Sequence, residues 1–233
     1  EETLFEVEFS QNIGWNQWLG WASDGSQRAQ NFGLAVRAGW RNAVGMPELY
    51  NEFEDGDPRR EVTLWSEGDT LETRSEESGR ATYNVRYNPT IHGSWTDYMP
   101  KKDLYPIWYG TDYNYPNNFR MIRYADILLM YAEAALQNGQ SSGKPLDALN
   151  QVRERVGLAP IGELTPEAII HERRCEFAFE NLRFRDLIRW QKTGWVNITD
   201  YIPAFDVGKN EVYPIPQREI EFAGGILNQN PGY

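Results

Sequence analysis

From Phe119 onward the apolar residues of this sequence recur with the period of an α-helix, and residues that start or stop helices punctuate the pattern. Ala125, Leu128, Leu129, Ala132, Ala135 and Leu136 follow the i, i+3, i+4 rule, and Asn138-Gly139 closes that run. Pro145 opens a second helix with Leu146, Leu149, Val152 and Val156 on its inner side, ended by Gly157. Thr165-Pro166 offers a capping hydroxyl followed by a first-turn proline, which predicts a third helix through about Glu180. A fourth runs over Leu182–Lys192 and finishes at Gly194. Ala132, Ala134 and Ala135 are small enough to let neighbouring helices approach closely.

Short amphipathic helices of this kind bury their stripes by packing in antiparallel pairs, the logic of a tetratricopeptide-like array, although the repeat signature itself is degenerate. The expected fold is therefore mainly α: a tetratricopeptide-like scaffold with long irregular aromatic loops and a few short strands. The chain divides into a loop-rich excursion over 1–118, a helical core over 119–195 and an irregular tail over 196–233. In the excursion, Leu4–Phe9 alternates as a half-buried strand does, and Met46–Tyr50 opens a short helix with Leu49 and Phe53 on one face. Asp55-Gly56-Asp57-Pro58 reads as a turn, Glu61–Trp65 as a strand, Glu67–Gly79 as a polar mobile loop and Tyr83–Tyr87 as a further strand. An aromatic loop follows from Ile91 to Tyr115. In the tail, Tyr213-Pro214-Ile215-Pro216 must be extended, because each residue before proline is pushed out of the helical region.

Charge and cysteine content exclude several classes. A net charge of −11 argues against nucleic acid, whose phosphates need a basic footprint. No apolar run approaches the roughly 18–20 residues of a helical membrane span. The opening Glu1–Phe9 carries no basic leader. Cys175 is the single cysteine, so no intrachain disulfide can form, and inside an apolar helical pattern it reads as a small buried residue.

The chain is 14% aromatic with nine Trp, many in segments rich in Gly, Asn, Asp and Ser where a core is hard to build. Sugars are held by stacking their C–H faces on exposed rings beside planar polar side chains that bond the hydroxyls. Two stretches supply both. The first is Trp15, Asn16, Gln17, Trp18 and Trp21; the second is Trp95, Tyr98, Trp108, Asp112 and Tyr113. The alternative is that these rings pack a satellite core beneath the loops, with indole N–H groups bonding carbonyls.

The charged lattice of Glu172, Arg173, Arg174, Glu176, Glu180, Arg183, Arg185, Asp186 and Arg189 reads as a structural salt-bridge network with i, i+3 pairs such as Arg173 with Glu176. Replacing Arg174 should then destabilise the fold rather than abolish binding. Glycoside hydrolysis needs only two carboxylates about 5–10 Å apart, so 34 acidic residues leave it open, but no motif points to a pair. With two histidines and no Gly-x-Ser-x-Gly elbow, a Ser–His triad has no support. No His/Cys cluster suggests zinc, and Asp55-Gly56-Asp57 lacks the rest of a calcium loop. No catalysis, cofactor or metal is expected.

The helical segments Arg123–Leu136 (RYADILLMYAEAAL), Ala148–Leu158 (ALNQVRERVGL) and His171–Trp190 (HERRCEFAFENLRFRDLIRW), with the tail Tyr213–Tyr233 (YPIPQREIEFAGGILNQNPGY), resemble the C-terminal half of SusD/RagB-like proteins. Met46–Arg60 resembles the same family's aspartate–proline segment, and Leu4-Phe5-Glu6-Val7 its first strand. The resemblance implies a lipid-anchored outer-membrane lid over a SusC-like TonB-dependent transporter, capturing oligosaccharide or polysaccharide at the cell surface and handing it inward without catalysis. It also implies a missing N-terminal half carrying the lipobox cysteine and further helices. Two other readings belong to different classes: a protein-interaction half with no glycan site of its own, and, less favoured, a glycosidase.

Overall fold

The computed structural model describes residues 2–9, 42–73, 83–90, 96–102 and 117–233. The chain forms two compact units, Glu1–Phe179 and Glu180–Tyr233.

In the first unit, β1 (Thr3–Val7) pairs antiparallel with β6 (Phe119–Arg123), setting Glu6 opposite Arg120 and Val7 opposite Phe119. Between them in sequence lie α1 (Pro47–Tyr50), α2 (Arg59–Thr63), β2 (Leu64–Trp65), β3 (Thr70–Thr73), β4 (Tyr83–Arg86) and β5 (Met99–Pro100). β2 pairs with β5 and β3 with β4, both antiparallel. A single bridge joins Gly45 to Tyr98. Only glycine fits there, since a Cβ at position 45 would sit 2.5 Å from Leu64 Cδ2 and 2.9 Å from Tyr98 Cβ.

Two segments depart from the sequence expectation. Most of Glu61–Trp65 is helical, and only Leu64-Trp65 remains a strand. The reason is local: the Asp57 carboxylate accepts from the Arg59 backbone N–H at 2.9 Å and nucleates a helical turn, which outweighs the strand preference of Val62 and Thr63. Within Glu67–Gly79, Thr70–Thr73 is a strand rather than part of a loop. Its polarity hid it, because a two-stranded ladder needs only a partner backbone, which β4 provides.

The helices follow their signals closely. α3 (Tyr124–Gln137) ends at Asn138, with Gly139 left-handed at φ 78°. α4 (Lys144–Arg155) folds back against α3, and α5 (Pro166–Glu176) packs on both. Thr165 Oγ1 accepts from the Ala168 N–H at 3.2 Å, so the predicted cap forms. α5 stops earlier than Glu180, at Glu176, and the backbone turns left-handed at Phe179 with φ 62°. Leu129, Ala132, Leu149, Val152, Leu164 and Ile169 fill the space between these helices. A smaller cluster of Trp65, Tyr87 and Met99 lies under the strands, and another joins Phe53 and Leu64 to Cys175.

The second unit contains α6 (Arg183–Thr193), a 3-10 turn at Ile198–Asp200 and α7 (Gln217–Phe222). Gly194 caps α6 in the left-handed region. Phe184 meets Phe205 edge-on with centroids 6.1 Å apart, and Leu187, Trp190 and Ile198 are buried. The extended Tyr213–Pro216 run has its backbone satisfied by side-chain amides: Gln229 bonds both the N–H and the C=O of Ile215 at 2.8 Å, and Asn230 donates to the Tyr213 carbonyl at 2.7 Å. Among the described residues no helix is long and apolar enough to cross a membrane.

Candidate functional site

The most concentrated chemistry in the first unit is a buried ion network around α5. Glu172 and Glu176 sit one turn apart, with side chains 0% and 2% exposed. Glu172 receives the Arg59 guanidinium at 2.5 Å and the Arg153 guanidinium at 3.2 Å. Glu176 receives Arg59 at 3.1 Å, Arg123 at 2.9 Å and Arg155 at 2.8 Å. Arg59 reaches back to Asp57 through Nε and Nη2, and Arg153 also holds Glu54 at 2.6 Å. Arg123 additionally pairs with Glu2, and Arg173 pairs with Asp126 of α3 at 2.8 Å. The Arg123 and Arg173 guanidiniums lie over the Phe177 ring at 4.8 and 5.0 Å.

Burying carboxylates is tolerable only when opposite charges and hydrogen bonds replace their water. Burial opposes the charge on Glu176, yet Arg123 and Arg155 win and hold its pKa below the usual carboxylate range. Burial likewise opposes the charge on Arg59, and its bonds to Asp57 and Glu172 raise its pKa all the same. At the rim, His171 bridges Glu52 at 3.0 Å and Glu54 at 3.2 Å, and its pKa is raised chiefly by the Glu52 contact. Arg174 closes the ring by donating to Glu52 at 2.9 Å.

This arrangement braces the fold and is poorly suited to acid–base work. A glycosidase acid needs a raised pKa and a route to substrate; Glu176 has a lowered pKa and almost no exposure. The expected salt-bridge network is present, but its partners differ. Arg173 reaches Asp126 of α3, and Glu176 gathers arginines from β6, α4 and the first residue of α2. Sequence reading missed Arg59, Arg123, Arg153 and Arg155. The available signal was the i, i+4 spacing of Glu172 and Glu176 on the same side of the helix as Ile169 and Cys175, an apolar side where unpaired carboxylates could not stay.

The brace also fixes a surface recess of about 340 Å³, lined by Tyr50, the Asp55–Pro58 turn, Arg60, Glu61, Ser66 and Asp69. The Asp57 carboxylate in its wall is committed to Arg59, leaving Asp55-Gly56-Asp57 a structural turn. Among the described residues no group of His, Cys, Asp or Glu is arranged to hold a metal ion. Cys175 is fully buried, and burial pushes its thiol pKa well up, so it is inert.

Of the predicted ring set, Tyr98 alone is among the described residues. It is half-buried and stacks on Tyr50 with centroids 4.3 Å apart and planes 15° from parallel. The Arg60 guanidinium lies 5.1 Å from the Tyr50 centroid. Tyr98 thus joins the wall of the recess to the cluster of Phe53, Leu64 and Cys175. Trp15, Asn16, Gln17, Trp18, Trp21, Trp95, Trp108, Asp112 and Tyr113 lie outside the described residues.

A mainly helical scaffold carrying loops and short ribbons is the architecture of known surface glycan-binding proteins. Along 100% of its length the chain superposes on half (50%) of a laminarin-binding SusD-like protein, with 30% identity and a TM-score of 0.71. Surface glycan-binding protein A from Bacteroides thetaiotaomicron matches over 99% of this chain and 52% of its own, with 25% identity and a TM-score of 0.71. The chain belongs to the SusD family, whose model matches residues 41–233. A SusD-like protein P2 from Formosa agariphila is 27% identical over 84% of this chain, and the match spans 41% of that relative's length.

Proposed function

We propose that this chain is the glycan-capturing C-terminal half of a SusD-like protein, binding oligosaccharide without cleaving it. The observation that carries the reading is the match of the whole of this chain to half of a laminarin-binding relative at 30% identity. Two features support it: the Trp- and Tyr-rich segments provide stacking rings beside amides, and the best-defined carboxylate pair in the first unit is spent on structure. The proposed platform is Trp15, Asn16, Gln17, Trp18 and Trp21 with Trp95, Tyr98, Trp108, Asp112 and Tyr113. The same reading puts the intact protein at the cell surface on a lipid anchor, beside a TonB-dependent transporter that takes up the captured glycan.

Isothermal calorimetry of the chain against laminarin oligosaccharides and a panel of plant, host and microbial glycans tests this. Binding by the wild type, weakened at least tenfold in Trp15→Ala and Trp18→Ala, is expected. Absence of heat across the panel would move glycan recognition out of this half and leave it a scaffold.

A further inference from the structure

The recess beside the Asp55–Pro58 turn has a polar wall that the ion brace does not use up. Its volume of about 340 Å³ lies at the small end of the roughly 300–1,000 Å³ of ligand pockets, enough for the end of a saccharide. The wall is held in place before any ligand arrives. Arg60 Nη2 donates to the carbonyls of Phe53 and Glu54 at 3.2 and 2.9 Å, and its guanidinium lies over the Tyr50 ring. Tyr50 in turn stacks on Tyr98, a member of the proposed platform.

Charge in the recess is nearly compensated. Asp57 is saturated by Arg59, Asp55 lies 3.6 Å from Arg60, and Asp69 lies 3.5 Å from Lys101. Glu61 is exposed and forms no ion pair among the described residues. That surplus carboxylate repels an anion without demanding a cation. Hydrogen-bonding capacity remains as well. The hydroxyls of Tyr50 and Ser66 have no partner among the described residues, and Asp69 accepts the Ser66 N–H through Oδ2 alone. Sugar hydroxyls both donate and accept, so they satisfy carboxylates and hydroxyls together. An apolar ligand would leave the same groups unpaired.

We infer that this recess binds the end of a neutral saccharide and rejects anionic sugars, as a contact separate from the Trp-rich segments. The inference rests on the glycan reading and adds a second site with its own selectivity.

Backbone and indole N–H signals of the isotopically labelled 233-residue chain tell the two sites apart. Gly56, Glu61 and Ser66 report on the recess. The indoles of Trp15 and Trp18, assigned through their Ala variants, report on the platform. The probes are laminaribiose, cellobiose, maltose and mannobiose, a laminaribiose with glucuronate as its terminal sugar, and spermidine as a bare cation. Neutral disaccharides should shift the recess signals, and the glucuronate analogue should need at least tenfold more ligand. Glu61→Gln should narrow that gap, and Glu61→Lys should narrow it further, to about threefold. Movement of the indoles while the recess signals stay still would overturn the inference and leave the glycan reading standing. Silence at both would remove both. Recess shifts of equal strength with the glucuronate analogue, or stronger with spermidine than with any disaccharide, would also overturn it. So would a gap unchanged in both Glu61 variants.

Discussion

α5 and the outer side of α3 break the usual inside–outside rule in opposite directions. α5 turns Glu172 and Glu176 into the interior, and α3 turns Ile127, Met130 and Tyr131 toward solvent. The difference teaches how each exception is tolerated. The buried carboxylates are stable because Arg59, Arg123, Arg153 and Arg155 replace the water they lost. The exposed apolar residues have no such compensation among the described residues.

The sharpest way to break this contrast is to remove one arginine from the brace. Arg59→Ala leaves Asp57 and Glu172 without their shared partner and should cost about 3–5 kcal/mol, read as a fall in the urea midpoint. A loss below about 1 kcal/mol would mean the network is replaceable by water and is no brace. Next come two neighbours on one helix: Leu129→Ala should cost about 2–5 kcal/mol, from lost burial plus the cavity left behind. Met130→Ala, one position on, should stay within about 0.5 kcal/mol in the same chain. Equal losses at both positions would show that the outer face is already covered.

Most of α3 to α6 was legible because the signals are local. Thr165 caps within three residues, Gly194 supplies the left-handed turn where the periodic run ends, and Asn138-Gly139 does the same for α3. The brace was legible only as a set of charges, since its pairs join residues 113 apart (Arg59 to Glu172) or 53 apart (Arg123 to Glu176), and no local rule assigns such partners. α2 was misread as strand because Val62 and Thr63 favour β structure, while the deciding hydrogen bond comes from Asp57. The aromatic segments were legible as chemistry but not as geometry, for rings are placed by long-range packing rather than by spacing; Tyr98 shows this, its ring stacked on Tyr50.

Smaller effects sharpen the account at the rim of the brace. Arg174 and Glu52 are each 22% exposed, so Arg174→Ala should cost about 1 kcal/mol or less, a measurable but modest drop in Tm. An unchanged Tm would remove that pair from the structural network. pH supplies the last contrast. Glu176 has a lowered pKa, so its contribution is complete above the ordinary 4.5 and is lost as pH falls through the lowered value. His171 has a raised pKa, so its contribution is complete below the ordinary 6.5 and is lost as pH rises through the raised value. From these two groups, unfolding free energy should be greatest between 4.5 and 6.5. His171→Gln should flatten the alkaline limb and leave the acid limb in place. An alkaline limb of unchanged slope in that variant would assign the loss to other groups.

The buried carboxylates hold the fold together, and on the proposed reading the chain binds glycan without cleaving it; product analysis tests this most directly. Laminarin oligosaccharide incubated with saturating chain should be recovered at its original length, with no new reducing ends over many hours. Release of shorter oligosaccharides, abolished by Glu172→Gln or Glu176→Gln in a variant that still folds, would contradict the account and make the brace an active site.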